Sequence, residues 1–344
     1  MSALKKLRVV ALAGASALLA SRDGRPEEVF AAGERAPGQL RNLRLPYRRE
    51  LVETADGATL HVRSYGPADA PPIVFAHGFG GRLEYWNPQI RAFADSHRVI
   101  AFDQRGHGRS GRGRRRFTVP LLGEDLAAVL GHMLDPGQRA VIVGHSMGGI
   151  GTLSWAQGFP ADVAARAAGV LLANTCATNV LDHTELIPRT PWNAPVRAAL
   201  LRTFLASQAP SLPAVLDRAL VRRKFVAPSA PAELVEFVHA ITSTCPNVTR
   251  GRWGAALLDF DVTAAAGSLT VPTTVLTGQL DLALKPSGGR GIAAAAQAAG
   301  RECRYVEVPG AGHCSNLETP AVFDREVLRL CEAHADRSGR GLVG

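Results

Sequence analysis

Apolar positions along the chain fall into short runs separated by turn residues up to about residue 176. They lose that rhythm until about 262 and regain it to about 335. Positions 49–54 and 59–65 are β-type runs flanking Ala55-Asp56-Gly57, a turn with hairpin chemistry. A short apolar run over 73–76 ends in His77-Gly78, 86–95 reads as a helix, and 98–102 reads as a strand. The period over 119–134 is helical. Positions 140–143 form a strand pattern leading directly into Gly144-His145-Ser146, followed by a helix over 147–158 and a strand over 169–173. Continuous apolar strands alternating with helices predict parallel pairing and a doubly wound α/β sheet.

Between 177 and 262 the prolines Pro188, Pro191, Pro195, Pro210, Pro213, Pro228 and Pro231 separate short helical pieces, and no strand pattern is visible. This predicts a helical lid inserted after the sixth strand. Alternation resumes with a strand over 273–276, a helix over 291–299, a strand over 304–308 and a helix over 322–335. The chain therefore divides into an N-terminal apolar segment and linker (1–46), a first core part (47–176), the lid (177–262), a second core part (263–335) and a tail (336–344). No internal repeat is visible.

Lys5, Lys6 and Arg8 precede an unbroken run of apolar and small residues from Val9 to Ala20. A charged start before an apolar stretch fits a secretory signal peptide or a short anchor, and Val29-Phe30-Ala31 could serve for cleavage. The run is short for a membrane span, which needs about 20 residues. The expectation is export or association with a membrane surface, the alternative being a cytoplasmic protein with a helix packed on its domain.

With 46% hydrophobic and 20% charged residues the 344-residue chain has the composition of a globular protein with a sizeable core. The net charge of +9 is partly local, in Arg112, Arg114, Arg115 and Arg116 and in Arg222, Arg223 and Lys224. No nucleic-acid motif accompanies these clusters and aromatic residues are 6%, which argues against a nucleic-acid partner. The arginine clusters are either solvated faces or contacts for an anionic substrate or lipid surface. Five cysteines without a CxxC pair imply neither a disulfide framework nor a structural zinc. One bridge stays open for an exported chain. No metal or organic cofactor is implied.

The strongest chemical signal is Gly144-His145-Ser146-Met147-Gly148, a G-x-S-x-G run between a predicted strand and a predicted helix. A sharp strand-to-helix turn brings backbone close on both sides, so glycine is needed there, and the turn lifts the serine hydroxyl clear of the sheet. A serine hydroxyl needs a base to take its proton. His313, in Gly310-Ala311-Gly312-His313 after the strand over 304–308, is that candidate. His77, His107 and His183 are rivals; His145, within the turn, should point elsewhere. Asp281 follows the strand over 273–276 and is the candidate to orient the imidazole. Its rivals Asp259 and Asp261 lie at the lid's exit. An oxyanion needs two preorganised donors. The backbone N–H groups of Met147 and Phe79 are nominated, the latter in the glycine-rich loop His77-Gly78-Phe79-Gly80-Gly81. His77, Gly78, Trp192 and Phe204 are nominated as substrate contacts.

With these motifs and Asp103-Gln104-Arg105-Gly106-His107-Gly108-Arg109-Ser110, the chain resembles the α/β-hydrolase superfamily over roughly 47–335, and within it the esterase, monoacylglycerol-lipase and haloperoxidase-like group. The resemblance implies an α/β-hydrolase fold with a mostly parallel eight-stranded sheet flanked by helices. Epoxide hydrolases and dehalogenases of the superfamily carry an aspartate where this chain has Ser146, and the epoxide hydrolases use lid tyrosines. Tyr47, Tyr65, Tyr85 and Tyr305 all lie outside the predicted lid.

The expected activity is cleavage of a carboxylic ester, with a small-molecule acyl substrate and an acyl-enzyme on Ser146. The same three side chains would serve a thioesterase, amidase or peptidase, C–C hydrolase or acyltransferase, with perhydrolysis as a side activity. A non-catalytic binding protein of the same fold is the remote alternative. Leu181, Leu186, Ile187, Trp192, Leu200, Leu201, Phe204 and Leu205 either face a pocket for an apolar group or bind the lid to the core. The oligomeric state is not readable.

Overall fold

The computed structural model describes residues 38–187, 194–209 and 212–340. The apolar run over 9–20, the proposed cleavage segment and Trp192 lie outside the described residues. Eight strands form one sheet: β1 (Tyr47–Glu53), β2 (Thr59–Tyr65), β3 (Pro72–Ala76), β4 (Arg98–Phe102), β5 (Ala140–His145), β6 (Ala167–Ala173), β7 (Thr273–Gly278) and β8 (Cys303–Val308). Their spatial order is β1-β2-β4-β3-β5-β6-β7-β8. β1 and β2 pair antiparallel with each other and β2 with β4, and all other pairs are parallel. Thr54 to Gly57 makes the β1–β2 turn, with Gly57 at φ 80°, a backbone conformation that glycine adopts without steric cost.

The central strands are buried on both faces because helices cover both. Side chains alternate with period two: Val74, Ile142 and Leu172 enter one core layer, and Ile73, Phe75, Val141, Val143 and Leu171 enter the other. Helix α1 (Asn87–Phe93) contributes Ile90 and Phe93 to the second layer. Helices α2 (Val119–Met133) and α3 (Met147–Gly158) cover the first with Leu126, Leu130, Ile150 and Leu153. A short α4 (Pro160–Arg166) precedes β6 and is too brief to show helical period in the sequence.

Between β6 and β7 the described chain is helical: α5 (Val180–His183), α6 (Ala194–Ala206), α7 (Ala214–Leu220), α8 (Ala232–Thr242) and α9 (Asn247–Ala256). α7 runs into a π-helical turn, Val221–Phe225. A lone bridge between Thr178 and Asp261 ties the two ends of this segment together. The chain then forms α10 (Pro286–Ala298), α11 (Ser315–Glu318) and α12 (Pro320–Arg340), which buries Phe323, Val327 and Leu330 beside α1. α10 starts five residues before the expected 291, with Pro286 at its first turn, where a missing N–H does no harm.

All five cysteines are free thiols. Among the described residues no helix is long and apolar enough to cross a membrane, and no group of His, Cys, Asp and Glu is arranged to hold a metal ion.

Candidate active site

The end of β5 and the start of α3 are separated by one residue, Ser146, at φ 53° and ψ −120°. A non-glycine residue at positive φ is strained and persists only where its surroundings hold it. Here they do: Ser146 N donates to Ala173 O of β6 at 2.9 Å, and Ser146 O accepts from Ile150 N at 3.1 Å and from Thr175 Oγ1 at 2.8 Å. The flanking glycines are forced by contact. A Cβ on Gly144 would lie 2.6 Å from Gly148 O, and one on Gly148 would run into Ala76 O of β3.

The loop after β3 is bound from beneath. Gly81 N donates to Gly78 O at 3.0 Å, so Phe79 and Gly80 form the tip of a turn. His77 donates from Nδ1 to Gly78 O at 2.8 Å and accepts at Nε2 from Gln104 N at 3.0 Å. His107 accepts at Nε2 from Gly80 N at 3.2 Å, while its Nδ1 faces Arg105 O at 3.2 Å. In each ring one nitrogen donates and the other accepts, the pattern of a neutral imidazole. Burial pushes both below the ordinary histidine range, His107 to about 3. Asp103 anchors the neighbouring loop by accepting from Leu83 N and Arg109 N, both at 2.9 Å, with His61 Nδ1 at 3.0 Å.

On the other side, His313 Nδ1 donates to Asp281 Oδ2 at 2.8 Å, which leaves Nε2 as the lone-pair nitrogen. Asp281 is 1% exposed, yet its oxygens are satisfied: Oδ1 accepts from Ala283 N and Leu284 N, and Oδ2 also from Asn174 Nδ2 at 2.9 Å. Asn174 itself sits at φ 47° just past β6. Its Nδ2 also donates to Gly312 O at 3.1 Å and its Oδ1 accepts from Ser315 Oγ, so it ties the aspartate to the histidine loop. Glu318 braces the same loop from behind, accepting from Gly312 N and Cys314 N, both at 3.0 Å, and from Ala227 N at 2.6 Å. Burial raises the Glu318 carboxyl above its usual range against those three backbone donors.

These parts meet at a cavity of about 70 Å³. Gly78, Phe79, Tyr85, His145, Ser146, His313 and Cys314 line it from the sheet side, and Phe225, Val238, Ile241 and Thr242 from the inserted helices. A Cβ on Gly78 would be 2.9 Å from His145 Nδ1 and 3.0 Å from the Ser146 Cβ, so the loop and the serine are in close approach.

Ser146, His313, Phe79 and Gly78 are thus brought together, with Asp281 bonded behind His313; Met147, the first residue of α3, is adjacent in the chain. Other expectations fare differently. His145 does not point elsewhere: its ring lines the cavity 4.9 Å from that of His313, and its Nε2 donates to His313 O at 2.8 Å. His77 lies under the loop, outside the cavity lining. Phe204 is 47% exposed on α6 and does not line the cavity, because its helix packs through Leu201 and Leu205 into a separate cluster with Leu181 and Leu258. Asp261 takes up Thr263 N, and His183 pairs with Thr178 Oγ1. Asn174, Tyr85, Phe225, Ile241, Cys314 and Glu318 were not singled out in the sequence. Only Cys314 and Glu318 sit close enough to His313 along the chain to have been suspected.

The α/β hydrolase family model matches residues 73–326. A 3-oxoadipate enol-lactonase of Acinetobacter baylyi is 28% identical over 283 residues, which cover 80% of this chain and 93% of that protein. Among solved structures, a hydrolase from Pseudomonas aeruginosa superposes with a TM-score of 0.66 at 28% identity, covering 83% of this chain and 98% of the other. The enol-lactonase of Burkholderia xenovorans gives 0.64 at 27% identity, covering 83% and 100%. By its sheet order and by this match across most of its length, the chain belongs to the α/β hydrolase family and is a hydrolase of that family.

Proposed function

We propose that this hydrolase cleaves carboxylic esters with an apolar acyl group through an acyl-enzyme on Ser146. The observation that carries the reading is that a serine on a strained turn and a histidine already oriented by a buried aspartate share one cavity. In the proposed reaction His313 Nε2 takes the Ser146 hydroxyl proton as the oxygen attacks the ester carbonyl. The oxyanion is received by the N–H groups of Phe79 and Met147, the latter at the positive end of α3. His313 gives its proton to the departing alkoxide, which leaves as the alcohol. Water, deprotonated by the same nitrogen, then attacks the acyl carbon and frees the acid and Ser146. Asp281 stays ionised throughout and stabilises the imidazolium.

Two features support an ester over the other bonds open to this chemistry. The relatives over most of the chain include proteins named enol-lactonases, beside others named as putative carbamate hydrolases, and a lactone is a cyclic ester. The cavity wall from the inserted helices is largely apolar, which suits an acyl chain better than a peptide. Under this reading the helices between β6 and β7 act as the lid.

Ser146→Ala is expected to abolish hydrolysis of p-nitrophenyl acyl esters with the circular dichroism spectrum unchanged. Undiminished turnover in that variant would refute the assignment. A fluorophosphonate probe separates enzyme from binding protein, since only an activated serine is labelled. Esters, thioesters and amides of matched acyl length then rank the bond types.

A further inference from the structure

A second concavity of about 390 Å³ lies on the side of α9 and shares no lining residue with the cavity at Ser146. Arg114, Arg115, Arg116 and Arg252 line it. Arg115 pairs with Glu124, but among the described residues Arg114, Arg116 and Arg252 have no carboxylate partner. The Arg114 guanidinium lies against Gly57 in the β1–β2 turn, while those of Arg116 and Arg252 are left to repel one another at the hollow, an arrangement that invites an anion.

The loop that presents them is fixed in place. Arg114 N and Arg115 N donate to Asp56 Oδ2 at 3.2 and 3.1 Å. Asp56 is in turn held by the fully buried Arg105 at 2.8 Å, and Arg105 by Asp125 at 2.9 Å. Gly113, at φ 67°, lets the chain pass so close that a Cβ there would strike Arg105. The hollow also has a firm floor: Phe117 is buried, its ring lies 4.6 Å from that of Trp253, and the Arg252 guanidinium sits 5.8 Å above the Phe117 ring. A solvated basic loop would need neither the buried carboxylate beneath its backbone nor the stacked aromatic pair.

We propose that this groove binds a phosphate-bearing ligand. A carboxylate offers two oxygens to one guanidinium fork, whereas a phosphate or pyrophosphate offers enough oxygens and charge to engage several forks at once. The volume lies within the range of small-ligand sites. The shared chemistry is the phosphate group, carried either by a soluble metabolite or by the headgroup of an anionic lipid.

The test uses the full chain and two probes, inorganic pyrophosphate by titration calorimetry and phosphatidylglycerol–phosphatidylcholine vesicles by co-sedimentation. The groove variant is Arg114→Gln/Arg116→Gln/Arg252→Gln. The control is Arg48→Gln/Arg49→Gln/Arg91→Gln, which removes the same formal charge from exposed sites elsewhere. Loss of the charge-assisted bonds should weaken binding of at least one probe about tenfold or more. The control should change it less than about threefold, and both variants should label with a fluorophosphonate like the parent. Pyrophosphate binding alone assigns a soluble ligand, and vesicle binding alone assigns a headgroup. If the parent binds neither probe, or if the control loses as much as the groove variant, the proposal is wrong.

Discussion

The two walls of the small cavity are built on opposite principles. The sheet-side wall is held in place by polar bonds: neutral His77 and His107 hold the loop that carries Phe79, and Asn174, Asp281 and Glu318 hold the loop that carries His313. The wall from the inserted helices presents Phe225, Val238 and Ile241, with Thr242 as its one hydroxyl, and that hydroxyl is turned back onto Val238 O at 3.0 Å. Directional bonds cannot shift by an ångström without loss, whereas apolar contacts tolerate rearrangement. One wall therefore suits fixed chemistry and the other suits variable substrate shape. The seam between them is narrow: Phe225 O accepts from His313 N at 2.9 Å and from Cys314 N at 3.2 Å, and Glu318 spans to Ala227.

Substitutions can break that contrast, and the proposed roles rank their effects. Asp281→Asn should lower kcat by about four orders of magnitude with KM little changed, because the amide favours the wrong imidazole tautomer; steady-state kinetics on a p-nitrophenyl ester reads it. A milder effect is expected at the seam. Glu318→Gln keeps the volume but offers a single acceptor oxygen and two unwanted donors to three backbone N–H groups, so kcat should fall about 10- to 100-fold. An unchanged kcat there would show that the histidine loop stands without its brace.

The polar wall should also reveal itself through pH. His107 is held neutral down to about pH 3 while the unfolded chain takes up a proton near 6.5. A depressed histidine pKa means that the unfolded state binds more protons, so this group's contribution to stability falls as pH drops below about 6.5. Relative to the parent, His107→Gln should gain about 2 kcal/mol between pH 7 and pH 5, measured by urea denaturation. A parallel pH dependence for both proteins would contradict the buried neutral ring.

On the apolar wall the effects should be smaller and selective. Ile241→Ala is expected to shift the preferred acyl length and change kcat/KM for a given ester about 3- to 10-fold, with the trend reversing between short and long chains. Phe204→Ser, on the exposed face of α6, should change no ester's kcat/KM by more than about twofold. If Phe204 mattered more than Ile241, the division of the inserted helices drawn here would be wrong.

Within the polar wall, the turn at Ser146 and the loop at His313 are readable in the sequence because their constraints are local. A turn that admits only glycine on both sides of a serine, and a histidine following a strand end, leave marks over a handful of residues. The strands were legible for the same reason: Ile73, Val74 and Phe75 are all apolar because both faces are covered. Strand order was not, since β4 lies between β2 and β3 only through pairings distant in the chain. The apolar wall was not legible either. Leu201 and Ile241 look alike as letters on a helix, yet one fills the cluster of α6 and the other faces Ser146. His145 was misjudged because the turn conformation that directs its ring beside His313 has no counterpart in sequence period. Asn174 carries no motif at all. Its importance comes from a left-handed backbone and three partners, two of them more than 130 residues away.

The size of the chamber at Ser146 has a kinetic corollary. About 70 Å³ is small beside the roughly 300–1,000 Å³ of ordinary small-ligand sites. If turnover of a bulky ester requires Phe225 and Ile241 to move aside, that opening encounters friction from the surrounding liquid. Thickening the medium with sucrose should slow long-chain esters while leaving acetate esters nearly untouched.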